Sequence, residues 1–236
     1  MRLLELQPNG KICLTRYFLE NAIPQYAILS HTWGDESEEV TFQDVVEGTN
    51  QGKAGFEKIK FCGKQAARDG LQYFWVDSCC IDKYSSTEVA ETINSMFRWY
   101  QNAAKCYVYL TDVSSPLYGD HDKVTQLPCE SAFRASRWFK RGWTLQELLA
   151  PRSVEFFSRE GNRIGDKTSL EIQVHEVTRV NVLALRGASL SQFGIQERLS
   201  WVCDRETTRE EDSAYCLLGI FDVCTKAGGI KNRPIC

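Results

Sequence analysis

Apolar and polar positions along the chain switch between a short-run pattern and a helical one, and that switching predicts the elements. QYAILS (25–30) is an apolar run after Pro24 that gives way to the polar HTWGDESEE, as a buried strand would. Over 53–68, Phe56, Ile59, Gly63, Ala66 and Ala67 recur at helical spacing before an Asp-Gly stop. QYFWVDSCCIDK predicts a second strand running into Asp77 and Asp82. SSTEVAETINSMFRWYQNA opens with a Ser/Thr cap and an acidic turn. Its Val89, Ile93, Met96, Phe97 and Tyr100 then form the apolar stripe of an amphipathic helix. KCYVYLTDV (105–113) predicts a third strand, and SSPLYGDHDKVTQLPCE, broken by Pro and Gly, a loop. ESAFRASRWFKRGWTLQELLAP holds one or two short helices stopped by Pro151, and SVEFFS is a fourth strand. A turn at REGNRIGDK and a helix around 168–178 follow. From about 190 there are two more helical patterns, SQFGIQERLSWV and TTREEDSAYCLLGIF.

Strands that alternate with helices imply βαβ units and a mostly parallel sheet. Ligands bind outside the carboxyl ends of such strands. This singles out Ser30, His31 and Trp33 after the first strand, Asp77 to Asp82 after the second, and Thr111 and Asp112 after the third.

Composition narrows the function classes. With 43% hydrophobic and 25% charged residues and a net charge of −3, the chain is an ordinary globular sequence without the basic footprint of a nucleic-acid binder. No apolar run approaches the roughly 18 residues of a membrane span. MRLLELQPNGKICL lacks the apolar core of a secretory signal. The ten cysteines include no C-x-x-C pair, and His31, His121 and His175 are not at metal-ligand spacing from any of them. They read as reduced, mostly buried thiols of a cytoplasmic protein, with no metal site expected.

Phosphate-binding signatures fail. GTNQGKAG (48–55) has three residues rather than four between its glycines and Ala54 where a Walker loop has Ser or Thr, and no G-x-G-x-x-G or G-x-S-x-G occurs. Cys79 and Cys80 lie between Asp77 and Asp82, whose charges raise a thiol pKa and argue against a nucleophile. The two aspartates either polarise a ligand hydroxyl or bind magnesium, or else cap a helix and order a loop. Residues 141–151, RGWTLQELLAP, place Trp143 and Glu147 on one helical face at i, i+4 among leucines. An indole beside a carboxylate suits a cationic aromatic ring. The plainer reading is a dipole contact at a helix start, or a surface pair with Arg137 or Arg141.

YAILSHTWG, WVDSCCIDK and RGWTLQELLAP, in this order, resemble the heterokaryon-incompatibility (HET) domain of filamentous fungi, and TTREEDSAYCLLGIFDV resembles the segment that closes it. The likeness covers roughly 1–223 and is strongest to the N-terminal domain of vegetative-incompatibility proteins. It implies a core over about 23–180, a helical extension over about 190–223, and a divergent, disordered tail at 224–236. The HET domain is in turn similar to the TIR fold, which implies an α/β, flavodoxin-like parallel sheet flanked by helices. Trp143-Thr144-Leu145-Gln146-Glu147-Leu148 matches the TIR W-C-x-x-E-L pattern with Thr144 in place of Cys. By that resemblance Glu147 is the catalytic carboxylate of an NAD glycohydrolase. Ser30, His31, Trp33, Asp77, Asp82 and Trp143 are then the substrate-binding residues, with NAD as substrate and no resident cofactor. The implied biology is fungal non-self recognition and programmed cell death. Implied partners are a second copy of the chain and an NLR-type or other incompatibility protein. The alternative is a non-enzymatic death-signalling module that acts by self-association.

Overall fold

The computed structural model describes residues 1–49, 52–115 and 129–225, together with the backbone of 226 and 229–232. Residues 116–128 of the expected loop, 50 and 51 of the Walker-like stretch, and 227, 228 and 233–236 of the expected tail lie outside the described residues.

The chain opens with two strands that periodicity did not predict. Leu4–Leu6 (β1) and Ile12–Leu14 (β2) pair antiparallel. Gly10, at φ 81°, supplies the left-handed residue of the turn between them. At three residues each they are too short to show an alternating pattern. The QYAILS run becomes Tyr26–His31 (β3), buried at all six positions as expected for a strand covered on both faces. Phe42–Glu47 (α1) and Phe56–Arg68 (α2) follow. The predicted second strand is only Tyr73–Trp75 (β4), because its DSCC portion turns into a single helical turn, Asp77–Cys80 (α3).

Ser86–Asn102 (α4) is the amphipathic helix, with Ser85 accepting from the Glu88 N–H. Lys105–Tyr109 (β5), Glu130–Ala135 (α5), Thr144–Leu149 (α6) and Val154–Phe157 (β6) come next. The stretch read as a turn contains a further strand, Arg163–Asp166 (β7), which pairs antiparallel with β6 across a register shift at Phe156/Phe157. Glu171–Thr178 (α7), Val182–Leu185 (α8), Ile195–Ser200 (α9) and Asp212–Tyr215 (α10) complete the helices. The last helical pattern thus yields one turn of regular helix. Val223–Lys226 (β8) and Gly229–Asn232 (β9) pair as a separate antiparallel ribbon. The ribbon is tied to α4 by the Thr225 N–H donating to Asn94 Oδ1 at 2.7 Å.

The main sheet has the order β2-β1-β4-β3-β5-β6-β7. Its four central strands are parallel and its flanks antiparallel, so the sheet is mixed rather than wholly parallel. Taken in chain order, the parallel strands sit 2-1-3-4, the flavodoxin-like arrangement. The order reverses between β3 and β5, where Ser30 pairs with Val108 and His31 with Tyr109. Helix α2 links β3 to β4 and α4 links β4 to β5 on the other side of β3, so the right-handed rule for such crossovers assigns the two helices to opposite faces. α2 packs on β1, β3, β4 and β5, while α6 packs on β3 and against α4. Among the described residues no helix is long and apolar enough to cross a membrane.

Candidate active site

Helix α6 is short and buried along its whole length, its chain leaving at Pro151. Leu145, Leu148 and Leu149 anchor it in the core, so Glu147 is carried inward with them. Both ends are clamped. At the start, the Thr144 hydroxyl donates to the Trp138 carbonyl at 2.5 Å, and Arg205 Nη1 donates to Thr144 Oγ1 at 2.9 Å and the Arg141 carbonyl at 2.8 Å. Next to it the Gly142 N–H meets the Glu206 carbonyl at 2.9 Å. A Cβ on Gly142 would stand 2.6 Å from Thr207 Cγ2 and 3.2 Å from Cys216 Sγ, so any side chain here would push back the C-terminal strap. At the far end, buried Lys167 donates to the carbonyls of Leu148 (3.3 Å) and Pro151 (2.7 Å), a cation placed at the negative pole of the helix. Burial pushes its amine down to about 8.

The Glu147 carboxyl is held by the Ser30 hydroxyl. Ser30 Oγ donates to Oε2 at 2.5 Å, and the Trp138 indole N–H donates to Ser30 Oγ at 2.8 Å, fixing the serine. Burial dominates the carboxyl's titration and pushes it up to about 8. Asp77's charge adds to this, while the Ser30 and Tyr100 hydroxyls and Arg205 oppose it. The surface pairing expected with Arg137 or Arg141 does not form: Arg137 lies 3.7 Å from Asp112 and Arg141 donates to Thr208. Asp112 receives the Ser136 hydroxyl and the Arg137 N–H, both at 2.8 Å, so it orders a turn.

Across from α6, Asp77 opens α3 and accepts the Trp33 indole N–H on Oδ2 at 2.9 Å. Its other oxygen faces His31 Nε2 at 3.7 Å. Burial, then the charge of Lys58, depresses the His31 pKa well below the usual value, so the imidazole is neutral. Lys83 Nζ stands 3.4 Å from the centroid of the Trp33 ring. The loop carrying Trp33 is anchored by Glu39, which accepts the Gly34 N–H at 2.7 Å and pairs with buried Lys58 at 2.5 Å.

These elements enclose a cleft of about 1040 Å³ at the carboxyl ends of the parallel strands. His31, Trp33, Asp77, Trp143 and Glu147 line it together, and Ser30 lies just behind, buried against Glu147. Trp143 is wall and core anchor at once, since it also packs on the hydrophobic core. Asp82 is not brought in. It accepts the Tyr84 N–H at 3.0 Å, the loop-ordering role weighed for it above. Cys79 is buried, and burial, Cys80 and Asp77 raise its thiol well above the usual value. Among the described residues no three His, Cys, Asp or Glu side chains converge as a metal site. Sequence reasoning missed Trp138, Tyr100, Lys83 and Arg205. It also missed the contribution of Arg209, Asp212 and Tyr215 to the far wall. Lys83 sits at the end of the second strand's own motif, whereas Arg209, Asp212 and Tyr215 reach the cleft from a segment distant in the chain. Trp138 and Arg205 act from behind its wall on Ser30 and Thr144.

Comparison with known proteins comes down to two findings. Residues 26–127 match the family described as heterokaryon incompatibility protein (HET). The chain is 56% identical over 223 residues to the vegetative incompatibility protein HET-E-1 of Podospora anserina, a stretch that covers 94% of this chain and 16% of that protein. The chain therefore spans a small fraction of the relative's length. No solved structure matches it.

Proposed function

The chain carries a heterokaryon-incompatibility (HET) domain, and we propose that this domain acts in fungal non-self recognition by cleaving NAD to nicotinamide and ADP-ribose at Glu147. The observation that supports this most is the carboxyl itself. It is buried, it accepts the Ser30 hydroxyl, it has no ion pair among the described residues, and it opens to a large cleft where the strand order reverses. A carboxyl kept uncharged by its surroundings gains a partner when a cationic ring enters, and its proton then leaves.

In this reading Trp33 or Trp143 stacks on the nicotinamide ring and the ribose lies toward Glu147. The bond between ribose C1′ and the ring nitrogen breaks, and its electron pair stays on nitrogen. The ring loses its charge and departs without needing a proton. The ribosyl carbon passes through an oxocarbenium-like state that the Glu147 carboxylate stabilises. A water oxygen then bonds to C1′ and gives up one proton, leaving ADP-ribose. Ser30, held by Trp138, fixes the carboxylate, a positioning task in a preorganised site. Self-association, or docking of an NLR-type partner, is proposed as the trigger.

The test is nicotinamide release from NAD by the chain fused to an oligomerising module, beside Glu147→Gln. Release by the parent and a loss of about 100-fold or more in the variant are expected. No release at high protein concentration, or equal release by the variant, sinks the enzyme and leaves a module that signals by self-association.

A further inference from the structure

Two polar atoms in the cleft wall lack partners. His31 Nε2 and Asp77 Oδ1 are both buried, and neither has a hydrogen-bond partner among the described residues. They face each other at 3.7 Å, too far for a hydrogen bond. Buried polar groups are nearly always satisfied, so a facing pair of orphans calls for a third group. Neither side chain is free to close the gap by itself. Asp77 is braced through its other oxygen by the Trp33 indole, and the His31 side chain is 1% exposed on a strand paired at that residue with Tyr109 of β5.

The chemistry of the pair defines what fits. Asp77 accepts only, and a neutral imidazole offers one N–H. A single hydroxyl satisfies both, its oxygen accepting from His31 and its hydrogen going to Asp77. A pyridinium ring edge offers neither an N–H nor a lone pair. Both residues line the same cleft as Glu147, whose carboxyl feels the charge of Asp77. We infer that His31 and Asp77 form a subsite for one hydroxyl of a ribosyl group, so that the cleft selects ribosylated ligands over bare pyridinium cations. The ribose identity rests on the NAD reading above; the hydroxyl requirement rests on the two orphaned atoms.

Isothermal titration of the Glu147→Gln chain tests this with three probes: nicotinamide riboside, ADP-ribose and 1-methylnicotinamide. The riboside should bind about tenfold or more tighter than 1-methylnicotinamide, which has the ring and carboxamide but no sugar. Asp77→Asn and His31→Asn should each erase that difference. Asp77→Asn keeps an acceptor for Trp33, and circular dichroism of both variants separates a lost subsite from a lost fold. A difference unchanged in both variants, equal binding of the two ring compounds, or no binding by any probe overturns the inference. If nicotinamide is released from NAD yet the difference survives both substitutions, the subsite falls and the enzyme stands. If the riboside and ADP-ribose bind through Asp77 and His31 while NAD is not cleaved, the subsite stands and the cleavage reading falls.

Discussion

Glu39 and Glu147 are both buried carboxyl groups, 4% and 7% exposed, near the carboxyl end of β3, yet their surroundings differ in kind. Glu39 has an ammonium at 2.5 Å from Lys58 and a backbone N–H at 2.7 Å from Gly34. Glu147 has the Ser30 hydroxyl on one oxygen and no ion pair among the described residues. Burying a charge is costly unless it is paired and hydrogen-bonded. The first carboxylate is compensated and serves as an anchor for the Trp33 loop. The second is left wanting a positive charge, and it is the one that opens onto the cleft. The contrast sets a structural acid apart from the acid proposed to act in the cleft, without reference to sequence motifs.

The largest effect should come from breaking the compensated site. Lys58→Met leaves Glu39 buried without its cation and should destabilise the chain by about 3–5 kcal/mol in denaturant titrations. An unchanged midpoint would mean that Glu39 needs no partner, and the contrast would lose its basis.

The uncompensated site should respond in the opposite direction. Glu147 titrates near 8 in the folded chain against an ordinary 4.5. Below 4.5 both states hold the proton and the group is neutral in effect. Between 4.5 and 8 the unfolded chain ionises first, so stability falls as pH rises and levels off above 8. Glu147→Gln removes that loss. It should stabilise the chain at pH 8 by about 3 kcal/mol, under the ~4–5 kcal/mol that a rise from 4.5 to about 8 gives at ~1.4 kcal/mol per unit. The gain should vanish near pH 4, as thermal melts at the two pH values would show. A variant less stable than the parent at pH 8 would assign Glu147 to the framework.

The smallest effect tests the link between the two clefts walls through Ser30. Ser30→Ala removes a hydrogen bond that favours the ionised carboxyl and strands the Trp138 indole N–H. The Glu147 midpoint should move further up, read by carbon NMR of labelled glutamate. Stability should drop by about 1–2 kcal/mol from the unpaired donor. A midpoint that falls would show that Ser30 does not hold the charge.

Helix α4 was legible because its cap at Ser85 and its apolar stripe are local signals, and β3 because a strand covered on both faces is a continuous apolar run. The β1–β2 hairpin and β7 were not, since their strands are as short as β4 and β6 but lack the aromatic residues that mark those two. The DSCC turn was lost in an aromatic run that looks extended to its end. Strand ends pointed to Ser30, His31, Trp33 and Asp77, and the structure does gather these. The same rule drew in Asp82, which lies a few residues too far along and orders its own turn instead.

What the sequence by itself determined is the α/β alternation, the short, mostly apolar helix that carries Glu147, and the candidate residues at the strand ends, all written in neighbours a few positions apart. Tertiary structure alone decided the 2-1-3-4 strand order, the Ser30–Glu147 and Trp138–Ser30 contacts across 117 and 108 residues, and the closure of the far wall by the segment around Arg205. It also decided which buried acid received a lysine and which did not. A side chain's charge state depends on burial and on groups brought close in space, and neither quantity is carried by the local pattern of the chain.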